Sequence, residues 1–356
     1  MKLLVLPRYG RLGASSRLRM MQYLPYLSAQ GVEVTISPLF SDDYVTGLQH
    51  NRRSLREVLR AYKQRIKALW SSPIYDLIWI ENEALPWVPA WVERALLSSK
   101  APYVLDYDDA VFHYYDLHRS TLVRHLMGDK HKRLIRGAVL IIAGNDYLAR
   151  YAEQSGAKKV EIVPTVIDLD RYTETTQTQS SHPLNMPSIG WIGQRATASF
   201  LQPYSSMFER FSASEQARFV AIGIDADALG LSMESVGWTE ATEVASIASL
   251  DIGIMPLLDG PFESGKCGYK LIQYMACGLP VVASPVGVNC QIVEHGANGF
   301  LAETPEQWEE AFRTLLEDPN LRHRMGQAGR QKVVKQYCIQ VTGPKVAALL
   351  VAAVGV

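Results

Sequence analysis

The sequence carries no surplus of either charge: 36 Lys and Arg offset 36 Asp and Glu over 356 residues. A dedicated nucleic-acid binder usually has a basic excess, so the balance argues against that class. Cysteine is scarce. Cys267, Cys277, Cys290 and Cys338 all lie in the C-terminal third, and no two have C-x2-C spacing. That excludes a disulfide framework and the common zinc-ligand patterns; small buried thiols are expected at Cys277 and Cys290, and a reducing cytosol fits. Long apolar runs are missing as well. Residues 3–6 stop at Pro7 and have the length of a strand rather than of a signal-peptide core. Residues 346–356 fall short of a bilayer span. A soluble or peripheral protein is expected. There is no short-period repeat and no Ser or Cys nucleophile elbow.

What is present is a chain able to build cores. It is 47% hydrophobic, and its length suits two domains. Short apolar segments alternate with helical ones from the start. Strands are expected at 3–6, 32–37, 76–81, 103–106, 138–143 and 160–164, with a helix over 17–28. A Thr-, Ser- and Gln-rich stretch, 173–187, has the composition of a linker. The alternation resumes with strands at 188–192, 218–223, 251–255, 279–284 and 299–302 and helices at 307–316 and 321–336. This pattern implies α/β architecture: two Rossmann-like, doubly wound parallel-sheet domains, 1–172 and 188–335, facing across a cleft. Residues 336–356 are expected to form a helical tail packing back on the N-terminal domain.

The halves differ in charge. Residues 1–170 hold 23 basic and 18 acidic residues, whereas 171–356 hold 13 and 18. Much of the basic charge is Arg52, Arg53, Arg56, Arg60, Lys63, Arg65 and Lys67. Between them Leu55, Val58, Leu59, Tyr62, Ile66, Leu69 and Trp70 fall at helical spacing. A basic amphipathic helix ending in Trp has the character of a membrane-surface helix. An ordinary surface helix packing its stripe on its own core has the same periodicity, and both remain open.

The segment richest in chemistry is 261–289, PFESGKCGYKLIQYMACGLPVVASPVGVN. Lys266, Lys270 and Gln273 are at i, i+4 and i+7, so a helix through them would present all three on one face. Two ammonium groups beside a glycine-loosened helix N-terminus suit an anion such as a diphosphate, and Gln273 suits a sugar or ribose hydroxyl.

Residues 274–284, YMACGLPVVAS, with Gly287, Glu294, Gly296 and Asn298-Gly299-Phe300, resemble the donor-binding signature of retaining, GT-B-type glycosyltransferases of family 4. Gly265-Lys266-Cys267-Gly268-Tyr269-Lys270 followed by Gln273-Tyr274-Met275-Ala276 resembles a branch with G-K-C-x-(F/Y)-K before (Q/E)-Y-M-A. Gln273 and Gly265 stand where that family has two acidic residues, with Glu263 just upstream of the first. The resemblance implies a GT-B fold and transfer of a sugar from a nucleotide-sugar to an acceptor hydroxyl with retention. It assigns Lys266 and Lys270 to the departing diphosphate and needs no metal or other cofactor. It also implies donor contacts from Gly10 and Gly13 in the loop after the first strand, from Gly193 and Arg195, and from Glu263, Gly265, Gly268, Tyr269 and Gln273. Partners would be the nucleotide-sugar and a sugar or lipid-linked acceptor, at the inner face of a cell membrane in bacterial surface polysaccharide or glycolipid synthesis. An epimerase of the same shape and a non-catalytic nucleotide-sugar-binding protein are the alternatives.

On the acceptor side, acidic residues crowd two strand ends: Glu81 and Glu83 in WIENEALP, and Asp106, Asp108 and Asp109 in VLDYDDAVF, followed by His113. Asp108 and Asp109 could orient hydroxyls or take a proton, or could cap a helix or pair with Arg119 or Arg124. Asp106-x-Asp108 fits a metal-binding D-x-D pattern, which a second α/β half contradicts. Ser16 is expected as a helix N-cap and Arg17 near the acceptor, while Arg19 is expected to be a solvated helix charge. Trp238 is expected in the core rather than on a nucleotide base.

Overall fold

The structure is a computed structural model that describes residues 1–49, 54–97, 101–172 and 186–355. Arg52, Arg53 and all but the last two residues of the expected linker lie outside the described residues. The chain forms two compact units. The first is Met1–Thr165 with Ser264–Cys267 and Ile339–Val356; the second is Val166–Glu263 with Gly268–Cys338.

In the first unit, β1 (Lys2–Leu6), β2 (Glu33–Ile36), β3 (Leu77–Glu81), β4 (Tyr103–Tyr107), β5 (Leu140–Ala143) and β6 (Val160–Ile162) form one sheet in the order β2-β1-β3-β4-β5-β6. Every pairing is parallel. Strands β3, β4 and β5 are buried along their whole length, as parallel strands covered on both faces must be. In the second unit, β7 (Ser188–Ile192), β8 (Arg218–Ile222), β9 (Glu234–Val236), β10 (Ile252–Met255), β11 (Val281–Ala283) and β12 (Gly299–Leu301) take the order β12-β11-β10-β7-β8-β9. Again all pairings are parallel. The strand order reverses at β1/β3 in one sheet and at β7/β10 in the other. The carboxyl ends of strands flanking such a reversal are where open α/β sheets bind ligands.

The expected strands are all present, with ends shifted by a residue or two. Strand β9 was not expected: Glu-Ser-Val is short and polar, and it sits at the sheet edge, where no apolar period marks it. The helix expected over 17–28 is broken. Helix α1 (Ala14–Arg19) ends at Met20, a 3-10 turn covers Met21–Tyr23, and a new helix Leu24–Ala29 starts with Pro25 in its first turn. Residues beyond Gln336 belong largely to the first unit. There the Thr342 hydroxyl lies 3.2 Å from the Tyr23 hydroxyl. A Cβ on Gly343 would strike the Tyr26 ring.

Helix α2 (Leu55–Trp70) opens on Ser54, whose hydroxyl accepts from the Glu57 N–H at 3.3 Å. Its apolar stripe divides. Ala61 and Leu69 are buried, whereas Leu55, Leu59, Ile66 and Trp70 are exposed. Arg65, expected among the surface cations, is buried. Its guanidinium donates to the carbonyls of Pro7 at 2.6 Å and Ser37 at 3.1 Å. No helix among the described residues is long and apolar enough to cross a membrane.

Arg19 is likewise not the solvated charge expected. It is 1% exposed, and its Nε donates to Asp106 Oδ1 at 2.7 Å. Its Nη1 donates to the Val163 carbonyl at 2.7 Å. Burial disfavours its charge, but Asp106 together with Tyr23 and Cys267 outweighs that, and Arg19 holds its proton more tightly than in water. Removing one partner of such a pair leaves an uncompensated buried charge. Arg19→Ala is therefore expected to destabilise the first unit by roughly 3–5 kcal/mol, read as a lowered thermal midpoint that Arg19→Lys partly restores.

Candidate functional site

In the first unit the reversal point is built by the loop after β1 and by the ends of β3 and β4. The loop passes close to its neighbours. The Gly10 N–H donates to the Phe40 carbonyl at 3.0 Å. A Cβ on Gly10 would collide with Asp42, and one on Gly13 with Tyr9. Gly13, not Ser16, occupies the N-cap of α1, with no side-chain cap. Ser16 sits in the first turn, where its hydroxyl accepts from the Tyr9 N–H at 2.9 Å and donates to Glu81 Oε2 at 2.5 Å. Glu81 Oε2 also accepts from the Arg8 N–H at 2.7 Å. Glu81 thus fastens the loop to the end of β3. Arg17 is buried and donates to the Arg11 carbonyl at 3.0 Å.

The Ser15 hydroxyl lies 2.8 Å from Glu81 Oε1 and also contacts Asp108 Oδ2. One hydroxyl hydrogen can serve only one of two carboxylates. The second contact needs another proton, carried by a carboxyl group. Burial first, and the neighbouring Asp108 charge second, push Glu81 up to about 7.

Glu83 is committed elsewhere. It accepts from Tyr115 at 2.8 and 2.9 Å and pairs with Lys130 Nζ at 2.6 Å. Lys130 also reaches Glu93 at 3.1 Å and the Leu85 carbonyl at 2.6 Å. Burial raises the Glu83 pKa, but Lys130, His131 and the Tyr115 hydrogen bond together more than reverse this and hold it below the ordinary carboxylate value. His113 lies between Asp116 and the Tyr147 hydroxyl, each at 2.8 Å. Asp106 is taken by Arg19 and by the Trp79 Nε1–H at 3.3 Å. No group of acidic, His or Cys residues that could hold a metal is present among the described residues. Arg124, one of the cations expected near Asp108 and Asp109, donates to the carbonyls of His118 and Arg119.

The segment Ser264–Cys267 is part of this unit. The Asn145 side-chain amide donates to the Gly265 carbonyl at 2.8 Å and the Lys266 carbonyl at 3.0 Å. The Cys267 thiol donates to the Asp108 carbonyl at 3.0 Å, and its burial pushes its pKa up to about 12. A Cβ on Gly265 would run into the Ala110 backbone at 2.8 Å. Lys266 Nζ is 3.7 Å from Asp109 Oδ1, and the Asp109 side chain is 38% exposed. The expectation that Lys266, Lys270 and Gln273 share one helix face is corrected here. Helix α3 starts only at Tyr269 and runs to Ala276, after Gly268 at φ 65°, so Lys266 precedes it. A Cβ on Gly268 would also meet Ile292.

In the second unit, Lys270 lies at the carboxyl end of β7. Its Nζ is 5.4 Å from the centroid of the buried Trp191 ring. A Cβ on Gly193 would collide with that ring and come within 3.1 Å of Lys270 Cε. Glycine is required there by the Trp191 ring, with the Lys270 stem passing close beside it. Gln273 is buried and donates to the Tyr172 hydroxyl at 3.2 Å. Glu243, which the sequence did not single out, receives Tyr172 at 3.4 Å and the Trp238 indole N–H at 2.8 Å. Trp238 is therefore a half-buried, hydrogen-bonded residue rather than a core one. Arg195 is exposed at the start of a 3-10 helix, Arg195–Tyr204. Glu263 and Tyr269 are half-buried. Asn298 ties its turn together through the Glu294 N–H and the Ile292 carbonyl, at 2.9 and 3.1 Å.

Residues 234–332 match the model of the family described as glycosyl transferases group 1. Over 77 residues the chain is 32% identical to N-acetyl-alpha-D-glucosaminyl L-malate synthase of Bacillus anthracis, a match covering 21% of this chain and 20% of that protein. Among solved structures, sucrose-phosphate synthase from Thermosynechococcus elongatus superposes with a TM-score of 0.74 at 15% identity over 98% of each chain. Anabaena Alr3699/HepE in complex with UDP-glucose does so at 0.70 and 18%, over 99% of this chain and 100% of that one. The fold is GT-B, shared along the chain's whole length.

Glu81 provides a pH test. Its folded value of about 7 lies above the ordinary 4.5, so the folded state binds the proton more tightly. The stabilisation is complete below the ordinary value and lost as pH rises through about 7. Between about pH 5 and pH 8, Glu81→Gln is expected to show a smaller fall in thermal midpoint than the parent chain.

Proposed function

We propose that this chain is a glycosyltransferase that moves a sugar from a nucleotide-sugar donor to an acceptor hydroxyl with retention of configuration. The observation that carries the reading is Lys270 at the β7/β10 reversal point, beside Gly193 and Trp191, within the residues that match the family model. A fixed cation at the carboxyl edge of a doubly wound sheet suits a diphosphate that gains charge as it leaves. Lys270 and Lys266 are the cations of this reading, and neutralisation by lysine and backbone N–H groups leaves no step that calls for a metal. The departing phosphate oxygen takes the acceptor's proton, so no strong protein base is required.

Support for a nucleotide-sugar donor comes from the related fold solved with UDP-glucose, and support for glycosyl transfer from the family-model match over residues 234–332. In this reading Asp108 and Asp109 are acceptor-side groups that orient a hydroxyl, and Ser15, Ser16 and Glu81 fix the loop beside them. A sugar or lipid-linked acceptor of bacterial surface polysaccharide or glycolipid synthesis suits the basic balance of residues 1–170.

Thermal-shift screening against UDP-, GDP-, ADP- and TDP-sugars identifies the donor, because a ligand bound only by the native state raises the midpoint. With that donor, Lys270→Ala is expected to lower nucleotide release by about 10²–10³-fold while the fold is retained. Near-parental turnover in Lys270→Ala rejects the site. Conversion of the donor without any acceptor rejects transfer in favour of epimerisation.

A further inference from the structure

The apolar residues of α2 serve two different surroundings. At 3.6 residues per turn, Ala61, Arg65 and Leu69 face the interior, while Leu55, Leu59, Ile66 and Trp70 fall within about 60° of arc on the exposed side. Leu55 is 73% exposed and Trp70 is 70% exposed. The next arc of the same helix carries Lys63, Arg56, Lys67 and Arg60, all exposed. Glu57, the helix's one acidic residue, lies on the side opposite the exposed apolar arc.

The surroundings extend the pattern. Among the described residues, ten large apolar side chains are more than half exposed, and nine of them lie between residues 55 and 126. The Tyr62 hydroxyl of α2 donates to the Pro86 carbonyl at 2.6 Å, next to Trp87. Trp87 packs edge-on against Tyr115 and His118, with ring centroids 5.1 and 5.8 Å away, and Trp91 on the following helix is exposed as well. Scattered exposed apolar residues need no explanation, but Trp87 and Trp91, on the segment that Tyr62 ties to α2, add to the exposed arc of that helix, and apolar exposure gathered in this way marks an interaction surface.

We propose that this face of α2, with Trp87 and Trp91 beside it, seats the first unit on an anionic lipid bilayer. Charge decides between occupants: the arc beside the exposed apolar one carries four cations and no acid, a one-signed flank complementary to an anionic headgroup layer. A helix lying in the plane of a membrane has this arrangement: Leu and Trp reach the acyl boundary, and the cations extend to the headgroups. Tryptophan favours that interfacial depth. The surface belongs to the first unit alone and does not rest on the sugar-transfer reading, although it supplies a site for a lipid-linked acceptor.

The test is sedimentation of the full chain with vesicles of phosphatidylglycerol and phosphatidylcholine, or of phosphatidylcholine alone, without donor or acceptor. The expected result is binding to the anionic vesicles that weakens with salt. Leu59→Glu/Trp70→Glu, both at exposed positions and checked for an unchanged thermal midpoint, is expected to abolish it. Lys63→Gln and Lys67→Gln are each expected to weaken it about fivefold. Equal binding to both vesicle types overturns the proposal, as does binding unchanged in the Glu double variant. A dimer in sedimentation velocity that the double variant dissociates also overturns it and assigns the face to a second copy. None of these outcomes involves turnover, so failure here and failure of the transfer reading are separable.

Discussion

Glu81 and Asp106 stand opposite each other at the ends of neighbouring parallel strands, and Glu83 follows two residues after Glu81; all three are buried. A buried carboxylate persists only with hydrogen bonds or a counter-charge. Each of the three meets that demand differently. Asp106 is matched by Arg19, Glu83 by Lys130, and Glu81 by two serine hydroxyls and a backbone N–H, with its pKa raised by burial. These requirements shape what lies around them. The loop after β1 is drawn down onto β3, α1 is oriented by a cation at its last residue, and a lysine is carried into the interior on the helix Lys130–Ile135. The edge of the sheet that faces outward chemistry is therefore organised from below by electrostatics.

The sheets were legible in the sequence because buried parallel strands read as short apolar runs between turn residues. The acidic crowding at the ends of β3 and β4 was legible for the same reason. What could not be read was the partner of each charge. Arg19 and Arg65 look like ordinary helix cations in a list of residues. Their burial follows from contacts with Val163 and Asp106, or with Pro7 and Ser37, far away in the chain. The stripe on α2 shows a related limit. Periodicity located the helix but could not tell that its apolar residues fall into an interior set and an exposed set, because both obey the same spacing.

The donor-side segment shows where a spacing argument fails. Lys266, Lys270 and Gln273 fit a helical interval, yet the helix begins after Gly268, whose positive φ ends the preceding segment. Gln273 is joined through Tyr172 to the buried carboxylate of Glu243. An acid at position 273 would bring a second negative charge into that hydrogen-bonded group, so glutamine is the electrostatically compatible choice. The only mark of Glu243 in the sequence was its place in a short polar run, which names no partner.

The first unit is discontinuous: it takes in four residues from 264–267 and then the final stretch from Ile339 onward. Tyr23, near the start, meets Thr342, near the end, and Asn145 grips carbonyls 120 and 121 positions further along. During synthesis the first unit must therefore wait, incomplete, until the residues from Ile339 onward have left the ribosome. A break at 173–187 would yield two pieces, neither holding all of its own parts. Vectorial folding is thus held back at the N-terminal unit, and the second unit, whose residues end at Cys338, has all of its sequence first.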